Sequence, residues 1–199
     1  MFRSRKDKKE KPRPRRLVTT GSWYSGKTCL LTRYCHQTFP VEYDPTTIDI
    51  VERDFPLFSK LVTLRMGETH VGGCNCGDMM RPYMYQGASV VIICFGIDNP
   101  ESLSSVQEDW APEVRACTGD ENTPIILVGC KMDVRKDPVE REKMEKSGVM
   151  TPVSVQQGKE MAISIGAAMY LECSAKTGEG VDDVFYHAAR LSSQAKAIS

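Results

Sequence analysis

The sequence predicts an α/β fold in which a mostly parallel sheet of six strands is flanked by helices. Short apolar runs alternate along the chain with stretches that have helical periodicity. Two of these runs, 89–97 and 124–129, are continuously apolar, which is typical of parallel strands buried on both faces. A loop with two glycines joins the first run to the first helical stretch, as in strand–loop–helix units of α/β proteins.

The individual elements are assigned from apolar spacing in chain order. Strands are predicted at 16–20, 48–55, 60–66, 89–97, 124–129 and 169–174. Helices are predicted at 27–37, 101–117, 154–166 and 181–197. The third helix opens with Ser154 and Gln157 in capping-box spacing. One face of the last helix carries an apolar set, Val181, Val184, Phe185 and Ala188.

A stretch without periodicity separates the third strand from the fourth. Residues 67–82 contain four glycines and follow neither a helical nor a strand pattern. We therefore predict a long loop over this stretch. Long loops in compact domains are usually functional.

Charge divides the chain into two parts, although the net charge is zero. Residues 1–16 contain nine of the 26 basic residues and only two acidic ones, so the remainder is acidic. The composition predicts a disordered basic tail over 1–15 and one folded domain over 16–199. Two roles for the tail remain open: a solubilising arm, or a segment attracted to anionic lipid head groups or an acidic partner.

The cellular setting is predicted from what the sequence lacks. No apolar run reaches the length of a membrane span, and the N-terminus has no apolar stretch of the signal-peptide kind. The eight cysteines follow no disulfide framework, which suits a reducing cytosol. We predict a cytoplasmic monomer without a nucleic-acid partner, whose tail would allow contact with the inner face of a membrane.

The segment "GSWYSGKT" at 21–28 satisfies the G-x-x-x-x-G-K-[ST] pattern of a phosphate-binding loop. Backbone N–H groups of such a loop wrap the α- and β-phosphates, helped by the helix N-terminus. Lys27 would reach the β- and γ-phosphates, and the hydroxyl of Thr28 would bind Mg²⁺. The predicted phosphate-binding residues are Gly21, Ser22, Trp23, Tyr24, Ser25, Gly26, Lys27, Thr28 and Cys29.

Three further segments accompany the glycine loop: "FPVEYDPTT" (39–47), "VGCKMD" (128–133) and "ECSAK" (172–176). With them the chain resembles the small GTPases of the Ras superfamily, and the Rho family in particular. The stretches "DWAPEV" and "TPIILVGCKMDVR" are similar to Rho-family sequence, and 136–150 has the length and character of the Rho helical insert. The resemblance covers about 16–192 and implies the small G-protein fold.

The resemblance also implies GTP or GDP as ligand, Mg²⁺ as cofactor, and effector proteins that bind the two switch regions. Phe39 would pack beside the guanine and Tyr43 would close over the phosphates. Thr46 would bind Mg²⁺, as Thr28 does, and would sense the γ-phosphate.

Guanine recognition would fall to the second and third segments. The carboxylate of Asp133 can accept hydrogen bonds from N1–H and the exocyclic amine of guanine, a pair that adenine does not offer. Lys131 would lie along the base. In the third segment the backbone N–H of Ala175, between Ser174 and Lys176, would meet the guanine oxygen.

The chain departs from the family pattern at the hydrolytic centre. Trp23 replaces the glycine that lies against the γ-phosphate, and indole would crowd the catalytic glutamine and an activating arginine finger. Cys130 replaces the asparagine of N-K-x-D, a mild departure in the resemblance, because Rho-family members vary at this position and the Rnd proteins, which hardly hydrolyse GTP, also have cysteine.

The D-T-A-G-Q segment of switch II is also broken. Counted from the glycine loop, Glu68 replaces the Mg²⁺-linked aspartate and Gly72 replaces the glutamine. Counted back from "RPYMY", His70 replaces the aspartate and Cys74 the glutamine. We prefer the first register because Val62, Leu64 and Met66 then keep the inward alternation of the strand. Neither register provides a glutamine, and no catalytic residue is intact.

These observations predict a Rho-like, GTP-bound signalling protein with very slow or absent hydrolysis, acting in cytoskeletal or polarity signalling. Two alternatives remain open. One is a nucleotide-free scaffold whose pocket is filled by Trp23 and Tyr24. The other is a slow but genuine GTPase in which Trp23 swings outward.

Overall fold

The computed structural model describes residues 13–40, 50–57, 60–69, 76–146, 148–149 and 151–194, and the side chains of 76–79 are not among the described groups. Several predictions fall elsewhere. Residues 1–12 of the basic tail predicted over 1–15 lie outside the described residues, as do the site residues Tyr43, Thr46, Gly72 and Cys74.

The described residues form six strands: β1 (Arg15–Gly21), β2 (Val51–Leu57), β3 (Lys60–Glu68), β4 (Ala88–Gly96), β5 (Ile125–Cys130) and β6 (Met169–Glu172). These strands make one sheet in the order β2-β3-β1-β4-β5-β6. The β2–β3 pair is antiparallel and every other pair is parallel, so the predicted mostly parallel sheet is confirmed. β1 lies between β3 and β4, and the loop that follows it therefore stands at the carboxyl edge of the sheet, where α/β proteins bind ligands.

Helices cover both faces of the sheet. They are α1 (Lys27–His36), α2 (Cys76–Tyr85), α3 (Pro100–Ser105), α4 (Ala111–Cys117), α5 (Pro138–Lys146), α6 (Val155–Ser164) and α7 (Val181–Ser192), with a π-helical turn at Val106–Trp110 and a 3₁₀ turn at Met132–Arg135. Helix α5 confirms the predicted helical insert. The capping box of α6 is present, because Ser154 and Gln157 exchange side-chain and backbone hydrogen bonds. Among the described residues, no helix has the length and apolar character needed to cross a bilayer.

The core consists of two apolar layers separated by the sheet. On one face, α1 and α7 pack against the strands, and the rings of Tyr34 and Phe185 stack with centroids 4.0 Å apart. Val184, Phe185 and Ala188 are fully buried, as the periodicity of α7 predicts. On the other face, the segment from α3 to α4 packs against β4 and β5 with α6.

The prediction of one continuous loop over 67–82 was wrong. β3 continues to Glu68, and α2 begins at Cys76. Pro82 lies inside α2, where it removes a helical hydrogen bond, so the local sequence opposes the helix. Tertiary contacts compensate: the ring of Tyr85 is fully buried, and Arg81 pairs with Glu113 of α4.

Candidate nucleotide site

Two glycines of the phosphate loop are required by the backbone itself. Gly21 has φ 130°, and a Cβ there would lie 2.1 Å from the carbonyl oxygen of Cys94. Gly26 has φ 99°, directly before the first residue of α1, and its added Cβ would meet that of Cys130 at 3.0 Å. The loop therefore turns sharply from β1 into α1 in a conformation that only glycine adopts without strain.

The two aromatic side chains of this loop project toward solvent. Trp23 is 61% exposed and Tyr24 is 77% exposed. Tyr24 has φ 58°, a left-handed conformation that is uncommon for a residue with a large side chain. Both residues border a cavity of about 160 Å³ at the phosphate loop, together with Gly26, Lys27, Thr28, Cys29 and Lys131. The outward side chains leave this cavity open.

Lys27 is held inside the loop by its own backbone. Its ammonium donates to the carbonyl oxygens of Gly21 at 2.8 Å and Ser22 at 2.7 Å. The side chain is 8% exposed, and burial lowers the pKa of its ammonium. A phosphate group in the adjacent cavity would supply a negative charge beside this buried cation.

Thr28 in the first turn of α1 faces Glu68 at the end of β3. The Thr28 hydroxyl donates to Glu68 Oε2 at 3.0 Å and Oε1 at 3.2 Å. Glu68 is 5% exposed, and burial raises the pKa of its carboxyl group. Hydroxyl and carboxylate oxygens are the ligands that Mg²⁺ prefers, so this pair fits the cofactor that the sequence predicts.

The register of β3 determines which residue faces Thr28. Val62, Leu64 and Met66 are buried, as the predicted alternation requires, and Glu68 continues the same inward face. The N–H of Thr69 donates to the carbonyl of Thr19 at 2.9 Å, which fixes the strand end against β1. The geometry agrees with the first of the two switch II registers.

A larger cavity of about 270 Å³ lies beside the phosphate loop. Residues from six separate segments border it, and five of them are predicted nucleotide contacts: Phe39, Lys131, Asp133, Ala175 and Lys176. Cys29 and Cys130 also line the cavity. Ser174 is fully buried, and its hydroxyl accepts the N–H of Thr177 at 3.1 Å, so it supports the loop from behind.

Backbone geometry holds 131–133, the segment predicted to recognise guanine, in place. Lys131 has φ 64°, and its ammonium donates to Asp98 at 2.8 Å. The carbonyl of Asp133 accepts the N–H groups of Lys136 and Asp137, both at 2.9 Å. The turn that carries Asp133 is therefore joined directly to the start of α5.

Sequence reasoning missed two acidic residues of this cavity, Asp98 and Glu140. The position of Asp98 just after β4 was an available signal, because carboxyl ends of parallel strands meet at one edge of the sheet. Glu140 gave no such signal, since it belongs to the insert helix α5. It accepts from Lys176 at 3.2 Å, and Asp137 accepts from the same ammonium at 2.9 Å.

The phosphate loop is also connected to α2. Trp110 donates its indole N–H to the hydroxyl of Ser22 at 3.0 Å. The guanidinium of Arg81 lies 5.1 Å from the centre of the Trp110 ring and pairs with Glu113 at 2.8 Å. Tyr85 of α2 bonds both Glu113 at 2.6 Å and Thr20 of β1 at 2.7 Å.

Comparison with known proteins gives a consistent result. A sequence model of the Ras family matches residues 16–194. The GTP-binding protein rho5 of Schizosaccharomyces pombe is 43% identical over 179 residues, covering 89% of this chain and 86% of the relative. The GTP-binding protein RHO1 of Saccharomyces cerevisiae is 44% identical over 184 residues, covering 92% and 85%. That of Candida albicans is 43% identical over 183 residues, covering 92% and 89%.

Proposed function

The chain belongs to the Ras family of small GTPases and is a GTP-binding signalling protein of the Rho type, and from this premise we propose that it holds GTP with Mg²⁺ and hydrolyses it very slowly or not at all. In this state it would act as a persistent signal. Control would then rest on its amount and location in the cell, since turnover of the nucleotide would not end the signal.

The observation that carries nucleotide binding is the open guanine cavity. Phe39, Lys131, Asp133 and Ala175 come from three distant segments and border one cavity of about 270 Å³. Trp23 and Tyr24 are mostly exposed and stay out of its lining, which argues against a pocket filled by aromatic side chains. The phosphate loop beside it keeps a buried ammonium, that of Lys27.

Two features of the chain support impaired hydrolysis. The family reaction uses a glutamine side chain to orient the attacking water, and residues 38–85 contain no glutamine. By the resemblance, Trp23 occupies the loop position nearest the γ-phosphate. An indole there would compete for space with the arginine finger of an activating protein. Such a finger contributes about 10³–10⁵ in rate, so its exclusion would leave at most the slow intrinsic reaction.

In the mechanism that follows from these residues, Lys27 and the loop N–H groups bind the phosphates, and the carboxylate of Asp133 selects guanine. Thr28 and Thr46 are the residues that would hold Mg²⁺, which neutralises phosphate charge when bound. Effectors would bind through 39–50 and the switch II segment. We further propose a cytoplasmic monomer whose basic tail contacts an anionic membrane surface.

Analysis of the bound nucleotide tests the proposal. The purified protein is denatured, the released small molecules are separated by chromatography, and the assay is repeated after prolonged incubation. We expect GTP that persists through the incubation. GDP in its place would indicate the slow genuine enzyme, and failure to bind any guanine nucleotide on titration would indicate the scaffold.

A further inference from the structure

A buried carboxylate, that of Glu68, lies at the end of β3 beside the phosphate loop. Within the described residues, Glu68 accepts hydrogen bonds from the hydroxyl of Thr28 and forms no ion pair with a lysine, arginine or histidine. The neighbouring Lys27 directs its ammonium to the loop carbonyls of Gly21 and Ser22 instead. An ionised carboxylate buried in this way needs a counter-charge.

The spacing of the two oxygen atoms, which a hydrogen bond joins, also matches that of adjacent ligands on one small cation. With metal–oxygen distances of about 2.0–2.1 Å, neighbouring ligands of octahedral Mg²⁺ lie about 2.9 Å apart. Thr28 Oγ1 lies 3.0 Å from Glu68 Oε2. Both residues are on regular elements: Thr28 is in the first turn of α1, and β3 is bonded to β1 up to the pair Thr19–Glu68. The two oxygens are therefore positioned before any metal arrives.

We propose that Glu68 is a direct ligand of the nucleotide-bound Mg²⁺, beside the hydroxyl of Thr28. The assignment rests on the proposed function, because the metal arrives with the nucleotide phosphates. An aspartate at this backbone position would be shorter by one carbon–carbon bond of about 1.5 Å, which leaves room for a water between carboxylate and metal. The longer side chain of Glu68 takes the place of that water.

The number of water ligands on the bound metal tests this assignment. The protein is loaded with GDP and Mn²⁺, and the broadening of the Mn²⁺ electron paramagnetic resonance lines in oxygen-17-enriched water counts the metal-bound waters. We expect one water fewer in the wild type than in Glu68→Asp. The variant Glu68→Gln keeps the length but removes the charge, and it should weaken Mn²⁺ binding at least about ten-fold.

A matched control is Glu108→Asp, an exposed residue of the π-helical turn, which should give the wild-type water count. Thermal unfolding of each GDP-loaded variant verifies the fold. Equal water counts in GDP-loaded wild type and Glu68→Asp would overturn the direct ligand while leaving nucleotide binding intact. A wild-type protein that takes up no guanine nucleotide would overturn the proposed function, and this assignment with it.

Discussion

Single residues of the phosphate loop carry the proposed separation of nucleotide binding from hydrolysis. Gly21 and Gly26 adopt conformations that only glycine reaches easily, and Lys27 is buried against loop carbonyls. Trp23 and Tyr24, between the two glycines, are 61% and 77% exposed. Both side chains are therefore mostly in solvent at the border of the cavity where the phosphates would lie.

Replacing Trp23 with glycine tests whether the indole alone limits hydrolysis. We expect Trp23→Gly to remain far below the rate of an intact family member, because no glutamine between residues 38 and 85 can orient water. Single-turnover release of phosphate from preloaded GTP measures the rate. Tyr24→Ala serves as control for the loss of an aromatic ring in the same loop. A family-like rate in Trp23→Gly would contradict the two-defect explanation.

Asp133 is expected to carry the choice of guanine over adenine. Its carboxylate can form two charge-assisted hydrogen bonds of about 1.5–3 kcal/mol each, so Asp133→Ala should weaken GTP binding at least about 100-fold. Affinity for ATP should change little, because adenine offers no matching donor pair. Competition of both nucleotides against a fluorescent guanine nucleotide measures this, with the exposed Asp182→Ala of α7 as control. An unchanged GTP affinity would remove Asp133 from the site.

At the scale of elements, the insert helix α5 is connected to the guanine cavity. It begins directly after the turn that carries Asp133, and two of its neighbouring carboxylates hold Lys176 of the third nucleotide segment. The hydrogen bonds that the Lys176 ammonium donates to Asp137 and Glu140 raise its pKa. A movement of α5 would therefore displace Asp133 and Lys176, two of the residues expected to contact the nucleotide.

Removing one of these carboxylates should loosen the nucleotide without unfolding the domain. Glu140→Ala leaves Lys176 with the carboxylate of Asp137, and ion pairs at an exposed surface are weak. We expect nucleotide dissociation to become faster by up to about five-fold. Stopped-flow release of a fluorescent GDP gives the rate. Glu142→Ala, which removes an ion pair within the same helix, is the matched control and should match wild type. Equal dissociation rates in the two variants would show that α5 does not influence nucleotide binding through Glu140.

The sequence predicted the elements whose burial follows a simple period and failed where tertiary contacts decide. Continuous apolar runs located β4 and β5, and the glycine loop located the site. The helix α2 was missed because Pro82 opposes it locally, while its stability comes from Arg81 and Tyr85 packing against α4. Glu140 was missed for the same reason, since only the folded chain brings the insert to the guanine cavity.

At the scale of the whole molecule, a charged network joins the last strand to the segment that precedes the insert. Arg135 forms two hydrogen bonds with Glu172 of β6 and donates to the carbonyl of Val153. Tyr170 donates to the same carboxylate. Burial acts to raise the pKa of Glu172, but the hydrogen bonds from Arg135 and Tyr170 prevail and hold it below its ordinary value.

This network gives stability a defined pH dependence. Because the folded pKa of Glu172 is depressed, its contribution is complete above the unfolded pKa of about 4.3 and is lost as the pH falls through the folded value. Glu172→Gln should lower the free energy of unfolding by about 1–2 kcal/mol at pH 7, with the difference shrinking in acid. Urea unfolding at pH 7 and in acid below the unfolded pKa measures this difference in free energy, and Glu101→Gln, at an exposed residue, is the control. A difference that persists unchanged in acid would contradict this account.

Bound nucleotide should stabilise the entire domain, because its site is formed by elements that lie far apart in the sequence. The cavity is bordered by the start of α1, the turn after β5 and the loop after β6. A ligand present at about 1,000 times its dissociation constant adds about 4.1 kcal/mol, provided that it binds only the folded state. For a domain of this size that corresponds to a Tm increase of about 8–16 °C. Removing Mg²⁺ and nucleotide with a chelator and a phosphatase should lower Tm by this amount, and adding GTP with Mg²⁺ should restore it while ATP does not. A Tm that changes neither on removal of nucleotide nor on addition of GTP with Mg²⁺ would mean that the cavity binds no nucleotide, as expected for a scaffold.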